Sequence, residues 1–285
     1  MTKTEQSILV VVKPRFANVI LCCALMVALS GCGESQRQPD VVLFAATSTI
    51  DVVSELVDSF EAAYPEYKVR VNFAATSSLA LMLKNGAEAD LFLSADQTWA
   101  ENVCQAIGCQ QPLDLWGNRL VVVVPTDSNE SVVSLDQLIQ PDVQRIAMAL
   151  PDVVPAGRYA KEYWKRNNSW SVIEPKVVGA SDVRQALALV VQGAVDCGVV
   201  YETDARSAGD HVRRIGQLPD VNVVYPLVQL ENQRNPTAVS KFVGWLQQDS
   251  SRTTAAKYGF SIPDASWVDD RSGDSSTVLE VDDER

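Results

Sequence analysis

Short apolar runs alternate with helical segments along most of the chain. Residues 41–46 form an unbroken apolar run, which is typical of a strand covered on both faces. Apolar residues at helical spacing follow from Val53 to Tyr64, and Pro65 ends that segment. The same alternation continues to about residue 260 and predicts an α/β protein with mostly parallel sheets.

The same two patterns predict the remaining elements. Apolar runs indicate strands at 68–75, 90–95, 119–125, 145–150, 176–179, 195–201 and 221–230. Helical spacing indicates helices at 76–86, 97–107, 158–166, 182–193 and 238–248. Ser48 and Asp51 have the spacing of a capping box, which predicts that the Ser48 side chain caps the first helix. Ser181 is expected to cap the helix that follows it.

The first residues have the pattern of an export signal. Two basic residues precede an apolar run from Phe16 to Leu29, and Leu-Ser-Gly-Cys ends at Cys32. This ending resembles the bacterial lipobox. We therefore expect a signal peptide at 1–31, a lipid on Cys32 and a polar tether at 32–40. An ordinary signal peptide cut nearby is the alternative. Both interpretations place the protein in the periplasm or at the cell surface, and the lipid would anchor it to a membrane.

Acidic residues dominate the chain. The sequence has 24 Lys and Arg against 36 Asp and Glu, and 21 against 35 remain once residues 1–31 are removed. Such a surface argues against nucleic acid and anionic lipid headgroups as partners. The segment 268–285 is acidic, rich in serine and free of aromatic residues, so we expect a disordered tail.

Cysteine and histidine usage bounds the chemistry. Cys104 and Cys109 are separated by four residues in an exported chain, so a local disulfide is expected. Cys197 stands in an apolar run and is expected to be a buried small residue. His211 is the sole histidine, which leaves no zinc site and no direct metal-cation ligands. A serine hydrolase would need His211 and a G-x-S-x-G turn, which the sequence lacks. We therefore expect that the protein is not an enzyme.

Four predicted strand-to-helix junctions share small or hydroxyl residues. They are residues 45–48, 74–77, 155–157 and 181–183. A helix N-terminus offers unpaired N–H groups and a partial positive charge, which together suit an anion. The ligand of an open α/β sheet lies at the carboxyl ends of its strands, where these junctions lie.

Five motifs occur in one order: Phe-Ala-Ala-Thr-Ser at 44–48, Ala-Asp-Leu-Phe-Leu-Ser-Ala-Asp-Gln at 89–97, Val-Pro-Ala-Gly-Arg-Tyr-Ala at 154–160, Asp-Val-Arg-Gln-Ala-Leu-Ala-Leu-Val at 182–190 and Gly-Val-Val-Tyr-Glu-Thr-Asp-Ala at 198–205. Together they resemble the periplasmic molybdate-binding proteins of ABC transporters, over about residues 41–263. The resemblance implies a type II periplasmic-binding-protein fold with two lobes, each a mostly parallel sheet flanked by helices. Lobe I would comprise 41–119 and 224–267, and lobe II would comprise 120–223. The chain would be a monomer that captures molybdate or tungstate between its lobes and delivers it to an ABC transporter permease.

The resemblance also implies which groups bind the anion. The implied ligand residues are Ser48, Thr76, Ala156, Val183 and Tyr201. They would supply seven neutral donors, two each from the hydroxyl and amide of the first two residues and one from each of the others. Thr76 stands where the family usually has serine, and the neighbouring Ser77 is an alternative donor.

Other interpretations stay open. The same fold binds other oxyanions such as sulfate or phosphate, and a lipoprotein of this fold can also have lost its ligand. Arg158 and Arg184 lie just after two binding junctions, and we expect both side chains to extend outward to solvent. Binding would then depend on neutral donors alone.

Overall fold

The computed structural model describes residues 39–127, 132 and 134–263. The predicted signal peptide, Cys32, most of the tether and the acidic tail lie outside these residues. Strands are β1 Val41–Ala46, β2 Val69–Ala74, β3 Leu91–Leu93, β4 Leu113–Pro125, β5 Ile146–Ala149, β6 Val177–Ala180, β7 Cys197–Tyr201 and β8 Val212–Gln229. Helices are α1 Ile50–Ala63, α2 Thr76–Lys84, α3 Gln97–Ile107, α4 Pro155–Arg166, α5 Trp170–Ile173, α6 Val183–Val191, α7 Glu202–Ser207, α8 Pro236–Leu246 and α9 Asp249–Lys257.

The strands form one sheet in the order β2-β1-β3-β8-β4-β7-β5-β6. At one end β1 runs parallel to β2 and β3, and at the other end β5 runs parallel to β6 and β7. Between these ends the long strands β4 and β8 pair antiparallel with each other. The predicted α/β architecture is therefore confirmed. The lobe boundaries that the sequence predicts fall inside β4 and β8, the two strands that connect the parallel ends.

Both faces of β1 are buried, as its unbroken apolar run predicts. Val41, Leu43 and Ala45 belong to one apolar cluster, and Val42 and Phe44 belong to another on the opposite face. Because a strand alternates its side chains between two faces, burial of all six β1 residues requires helices on both sides. The helices thus fix where the carboxyl end of β1 lies.

The predicted and observed elements differ most at the starts of two strands and in three helices that the sequence did not predict. The strands β4 and β8 begin at Leu113 and Val212, earlier than predicted, because they pair with each other across polar residues and register shifts. The short helices α5 and α7 were not predicted, and neither was α9, which is polar and buries only Ser251 and Ala255. Among the described residues no helix is long and apolar enough to cross a membrane.

The cysteines that the structure describes fall into two environments. Cys104 and Cys109 form a disulfide with their Cα atoms 4.9 Å apart, and this bond joins the end of α3 to the loop that follows. Cys197 is a buried free thiol on β7, and burial raises its pKa to about 12. A thiol that stays protonated is a poor nucleophile, so Cys197 contributes packing.

Candidate functional site

A small cavity lies at the carboxyl end of strand β1. The N-termini of helices α2, α4 and α6 also meet there. Its volume is about 20 Å³, and it is lined by Ala46, Thr47, Ser48, Ala75, Thr76, Ala95, Val154, Pro155, Asp182, Val183 and Tyr201. Four of the five predicted ligand residues are therefore in its wall. The fifth, Ala156, is buried next to the lining residue Pro155 but does not itself line the cavity.

The size of this cavity limits its ligand. A space that holds one water needs roughly 10–15 Å³, whereas sites for drug-sized ligands measure about 300–1,000 Å³. At about 20 Å³ the cavity is far smaller than such sites, so a small compact ligand matches it better than a sugar or a peptide.

Ser48 lies in a 3-10 turn, Thr47–Thr49, that precedes α1. The predicted capping box is wrong, because Ser48 does not cap the helix and Thr49 Oγ1 instead donates to the Ala46 carbonyl at 2.7 Å. The Ser48 hydroxyl is turned toward the sheet, where its oxygen lies 2.8 Å from the Tyr225 hydroxyl. The 3-10 turn thus places the buried Ser48 side chain between the cavity and β8.

Thr76 is the first residue of α2, and its hydroxyl accepts a hydrogen bond from the Ala95 amide at 3.0 Å. The hydroxyl proton of Thr76 remains available to a ligand. Ser77 is buried but does not line the cavity. Of the two alternative donors, the structure thus brings Thr76 to the cavity and Ser77 elsewhere.

Val183 is the first residue of α6. The carboxylate that precedes it, Asp182, accepts hydrogen bonds from the amides of Arg184 and Gln185 at 2.8 and 3.0 Å. The predicted cap, Ser181, is therefore wrong, and Asp182 caps the helix. Since Asp182 engages two of the first-turn amides, the Val183 amide is the one left facing the helix end.

Helix α4 begins with Pro155, which has no N–H, so Ala156 and Gly157 carry its first amides. Gly157 packs against the carboxyl end of β5, and a Cβ atom added to it would lie 2.1 Å from the Ala149 carbonyl oxygen. This close approach sets how near the N-terminus of α4 lies to the sheet. Glycine at residue 157 thus positions the amide of Ala156.

Two hydroxyls of the cavity wall have no hydrogen-bond partner among the residues that the structure describes. The oxygens of Thr47 and Tyr201 are buried and lack a hydrogen bond to any described residue. Burial raises the pKa of Tyr201 well above its ordinary value, so its phenol keeps its proton and can donate. Thr47 was not among the predicted ligand residues. Its hydroxyl within the junction 45–48 was the signal that could have identified it.

Two arginines beside the cavity contradict the expected outward orientation. Arg158 Nη2 lies 2.9 Å from Asp96 Oδ2, and the Asp96 side chain is 1% exposed. Asp96 also accepts from the Trp99 amide at 2.8 Å and so caps α3. A carboxylate this close to an anion site would repel the anion. The guanidinium of Arg158 neutralises that charge.

Arg184 makes a second, partly buried pairing. Its guanidinium lies 2.5 Å from Asp51 and 2.7 Å from Asp204 Oδ1, although the latter contact is not aligned as a hydrogen bond. Burial raises the pKa of the Asp204 carboxyl to about 7, and Arg184 and the Tyr201 amide oppose that rise. The predicted outward orientation is wrong for both arginines, because acidic residues distant in sequence bind their guanidinium groups.

A larger cavity of about 490 Å³ lies at the N-terminal end of β3, whereas the small cavity lies beyond its C-terminal end. Its wall contains the carboxylates of Glu88, Asp90 and Glu231 together with the guanidinium of Arg234. This acidic wall disfavours an anion. The smaller cavity, with its hydroxyls and helix N-termini, is therefore the candidate functional site.

The sequence from residue 41 to residue 261 matches the family described as bacterial extracellular solute-binding protein. The molybdate-binding protein ModA of Escherichia coli is 33% identical over 259 residues, which cover 87% of this chain and 98% of that protein. A Bacillus subtilis protein, provisionally named ABC transporter substrate-binding lipoprotein YvgL, is 29% identical over 260 residues and has the same two coverages.

A solved structure also matches the fold. The periplasmic molybdate-binding protein of Azotobacter vinelandii superposes with a TM-score of 0.70 at 17% identity and covers 79% of this chain and 100% of that one. At this identity the likeness speaks for the fold alone, and it confirms the predicted periplasmic-binding-protein class.

Proposed function

Because the chain belongs to the bacterial extracellular solute-binding protein family, we propose that it captures molybdate or tungstate and delivers the anion to an ABC importer permease. The observation that carries the proposal is the donor chemistry of the small cavity. Hydroxyls of Ser48, Thr76 and Tyr201 converge there with the N-terminal end of α6. The 33% identical ModA of Escherichia coli, named as molybdate-binding, supports the choice of anion.

The proposed contacts are the hydroxyls and amides of Ser48 and Thr76, the amides of Ala156 and Val183, and the phenol of Tyr201. Thr47 adds a further hydroxyl, since its buried oxygen has no partner among the described residues. A buried dianion is costly unless each oxygen finds donors, and each charge-assisted hydrogen bond contributes roughly 1.5–3 kcal/mol. A set of neutral donors of this number therefore offsets the cost without a lysine or arginine in the wall.

Sulfate is the alternative ligand. It is a fully deprotonated tetrahedral dianion like molybdate, and only its smaller radius distinguishes it for a donor-lined cavity. Hydrogen phosphate keeps a proton at neutral pH and needs an acceptor. Asp182 is the carboxylate in the cavity wall; two backbone amides occupy its Oδ1 atom, and the Ser181 hydroxyl lies 3.3 Å from its Oδ2 atom. Phosphate is the weakest candidate for this reason.

Calorimetric titration of the purified protein with molybdate, tungstate, sulfate and phosphate tests the proposal. We expect tight binding of molybdate and tungstate, weaker binding of sulfate and no binding of phosphate. If sulfate binds most tightly, the protein is a sulfate-binding protein and the choice of molybdate is wrong. Heat from none of the four, in protein that unfolds cooperatively, would contradict an oxyanion-binding function.

We propose further that the anion holds two lobes together. Arg158 with Asp96, and Arg184 with Asp51, each join a residue of one predicted lobe to a residue of the other. The ligand contacts divide in the same way, so only a closed cleft supplies them all. Small-angle scattering should show a smaller radius of gyration on adding molybdate. An unchanged radius at saturating ligand would argue against closure.

Export and anchoring complete the proposal. The family is extracellular, and the Leu-Ser-Gly-Cys sequence indicates a lipid on Cys32. Cys32→Ala should release the protein from membranes or leave the leader uncut. Cys23→Ala, in the apolar run of the leader, is the matched control and should leave processing unchanged. Normal processing and membrane fractionation of Cys32→Ala would refute the anchor.

A further inference from the structure

A chain of buried hydrogen bonds runs behind the cavity, from Asn118 on β4 through Tyr225 on β8 to Ser48. Asn118 Nδ2 lies 3.3 Å from the Tyr225 hydroxyl, and that hydroxyl lies 2.8 Å from Ser48 Oγ. We infer that Tyr225, held by Asn118, is a positioning residue that makes the Ser48 hydroxyl an obligatory donor, so that the site selects oxyanions that carry no proton. The inference deepens the proposed function and rests on it.

The donor-to-acceptor direction of this chain of hydrogen bonds is set at Asn118. The Arg119 amide donates to Asn118 Oδ1 at 2.9 Å, which fixes the carbonyl side of this side-chain amide. Asn118 Nδ2 therefore faces Tyr225 and, at 2.9 Å, the hydroxyl of Thr203. An amide nitrogen of this kind has two protons and no lone pair. The Tyr225 oxygen must accept from it.

The direction of the hydrogen bond between Tyr225 and Ser48 follows from burial. Tyr225 is 0% exposed, and burial raises its pKa well above the ordinary value, so the phenol keeps its proton. Among the described residues, Ser48 Oγ is the acceptor within hydrogen-bond distance of that proton. A buried hydroxyl proton without an acceptor is costly, so Tyr225 donates to Ser48. The proton of Ser48 is then directed away from β8, toward the cavity.

Thr76 shows the same arrangement by a different route. The Ala95 amide donates to its hydroxyl oxygen at 3.0 Å, which leaves the Thr76 proton for the cavity. Both hydroxyls thus accept from the protein and donate to the ligand. A fully deprotonated tetrahedral dianion offers only acceptors and matches this wall. An anion that keeps a proton brings a donor, which would meet the donors Ser48 and Thr76 at this part of the wall.

The test compares selenate with hydrogen arsenate at mildly alkaline pH, where both are tetrahedral dianions and only arsenate carries a proton. Each competes with molybdate for the wild-type protein, for Tyr225→Phe and for Tyr258→Phe. Tyr258→Phe is the matched control, since its hydroxyl bonds to Glu55 on α1, away from the cavity. Without the Tyr225 donor, Ser48 can accept from the ligand.

We expect Tyr225→Phe to bind selenate about tenfold more weakly, while hydrogen arsenate loses less or gains. The preference for selenate should therefore fall in Tyr225→Phe and stay at the wild-type value in Tyr258→Phe. An unchanged preference in folded Tyr225→Phe overturns the inference and leaves the proposed function standing.

A wild-type protein that binds no oxyanion overturns the proposed function itself. Thermal unfolding reports whether Tyr225→Phe is folded. If it is not, Asn118→Leu is measured in the same way, because it removes the donor that sets the direction of the chain. An unchanged preference in that variant likewise overturns the inference.

Discussion

Removal of the Tyr201 hydroxyl should change stability and affinity in opposite directions. This oxygen is buried in the cavity wall and has no hydrogen-bond partner among the described residues. An unsatisfied buried polar group costs roughly 1–3 kcal/mol, so Tyr201→Phe should leave the free energy of unfolding unchanged or raise it by up to that amount. Most substitutions of buried residues do the reverse.

The affinity should fall. If the phenol donates to a dianion, its loss removes about 1.5–3 kcal/mol of binding free energy, which corresponds to a roughly 10- to 150-fold higher Kd. At a ligand concentration of 100 times the wild-type Kd, the wild-type protein gains about 2.7 kcal/mol of stability. A variant with a 30-fold higher Kd gains only about 0.9 kcal/mol under the same conditions.

Calorimetric titration with molybdate and thermal unfolding with and without it would measure both effects. Tyr258→Phe is the control for the loss of a hydroxyl outside the site. A Tyr201→Phe variant that binds molybdate with wild-type affinity would refute the role of the phenol as a donor. A large loss of stability in the variant without added ligand would also contradict that role, since it would mean that the hydroxyl has a structural partner.

Three further predictions follow from the groups around the site. Arg158→Gln should lower the free energy of unfolding by about 3–5 kcal/mol, since it leaves the buried Asp96 carboxylate unpaired, and a second change of Asp96 to Asn should restore most of the loss. Because the folded pKa of Asp204 is raised to about 7, its contribution to stability should be full at low pH and be lost as pH rises from about 4 to about 7. Asp204→Asn should flatten that part of the pH profile of unfolding. Gly157→Ala should weaken both stability and molybdate affinity, whereas the helical Gly244→Ala, where an added Cβ meets nothing within 4 Å, should stabilise by about 0.5–1 kcal/mol in thermal unfolding.

The sequence predicted the strand-to-helix junctions well because their signals are local. An apolar run ending in small and hydroxyl residues indicates both a buried strand and a helix start, as at residues 41–48. The resemblance to molybdate-binding proteins then named Ser48, Thr76, Val183 and Tyr201, which the structure brings into one cavity wall. Those residues are distant in sequence, and the order of the motifs was needed to relate them.

What the sequence did not predict depends on long-range pairing. Ser48 meets Tyr225 across 177 residues, and Arg158 meets Asp96 across 62. No local spacing encodes such partners, so local spacing predicts a capping box for the Ser48 side chain and a solvent-facing Arg158. Thr47 was missed for a related reason, since whether its hydroxyl has a partner depends on what packs around it.

The order of strands in the sheet bears on how the chain is synthesised and exported. Leu91–Leu93 of β3 pair with Leu227–Gln229 of β8, so the sheet end that begins at residue 41 is incomplete until the last part of the chain has been made. Until then β3 presents an unpaired edge, and its pairing must await a contact of long sequence separation, which is slow to form. We expect the nascent chain to stay unfolded for most of its synthesis, the state in which a polypeptide is threaded through a translocation channel.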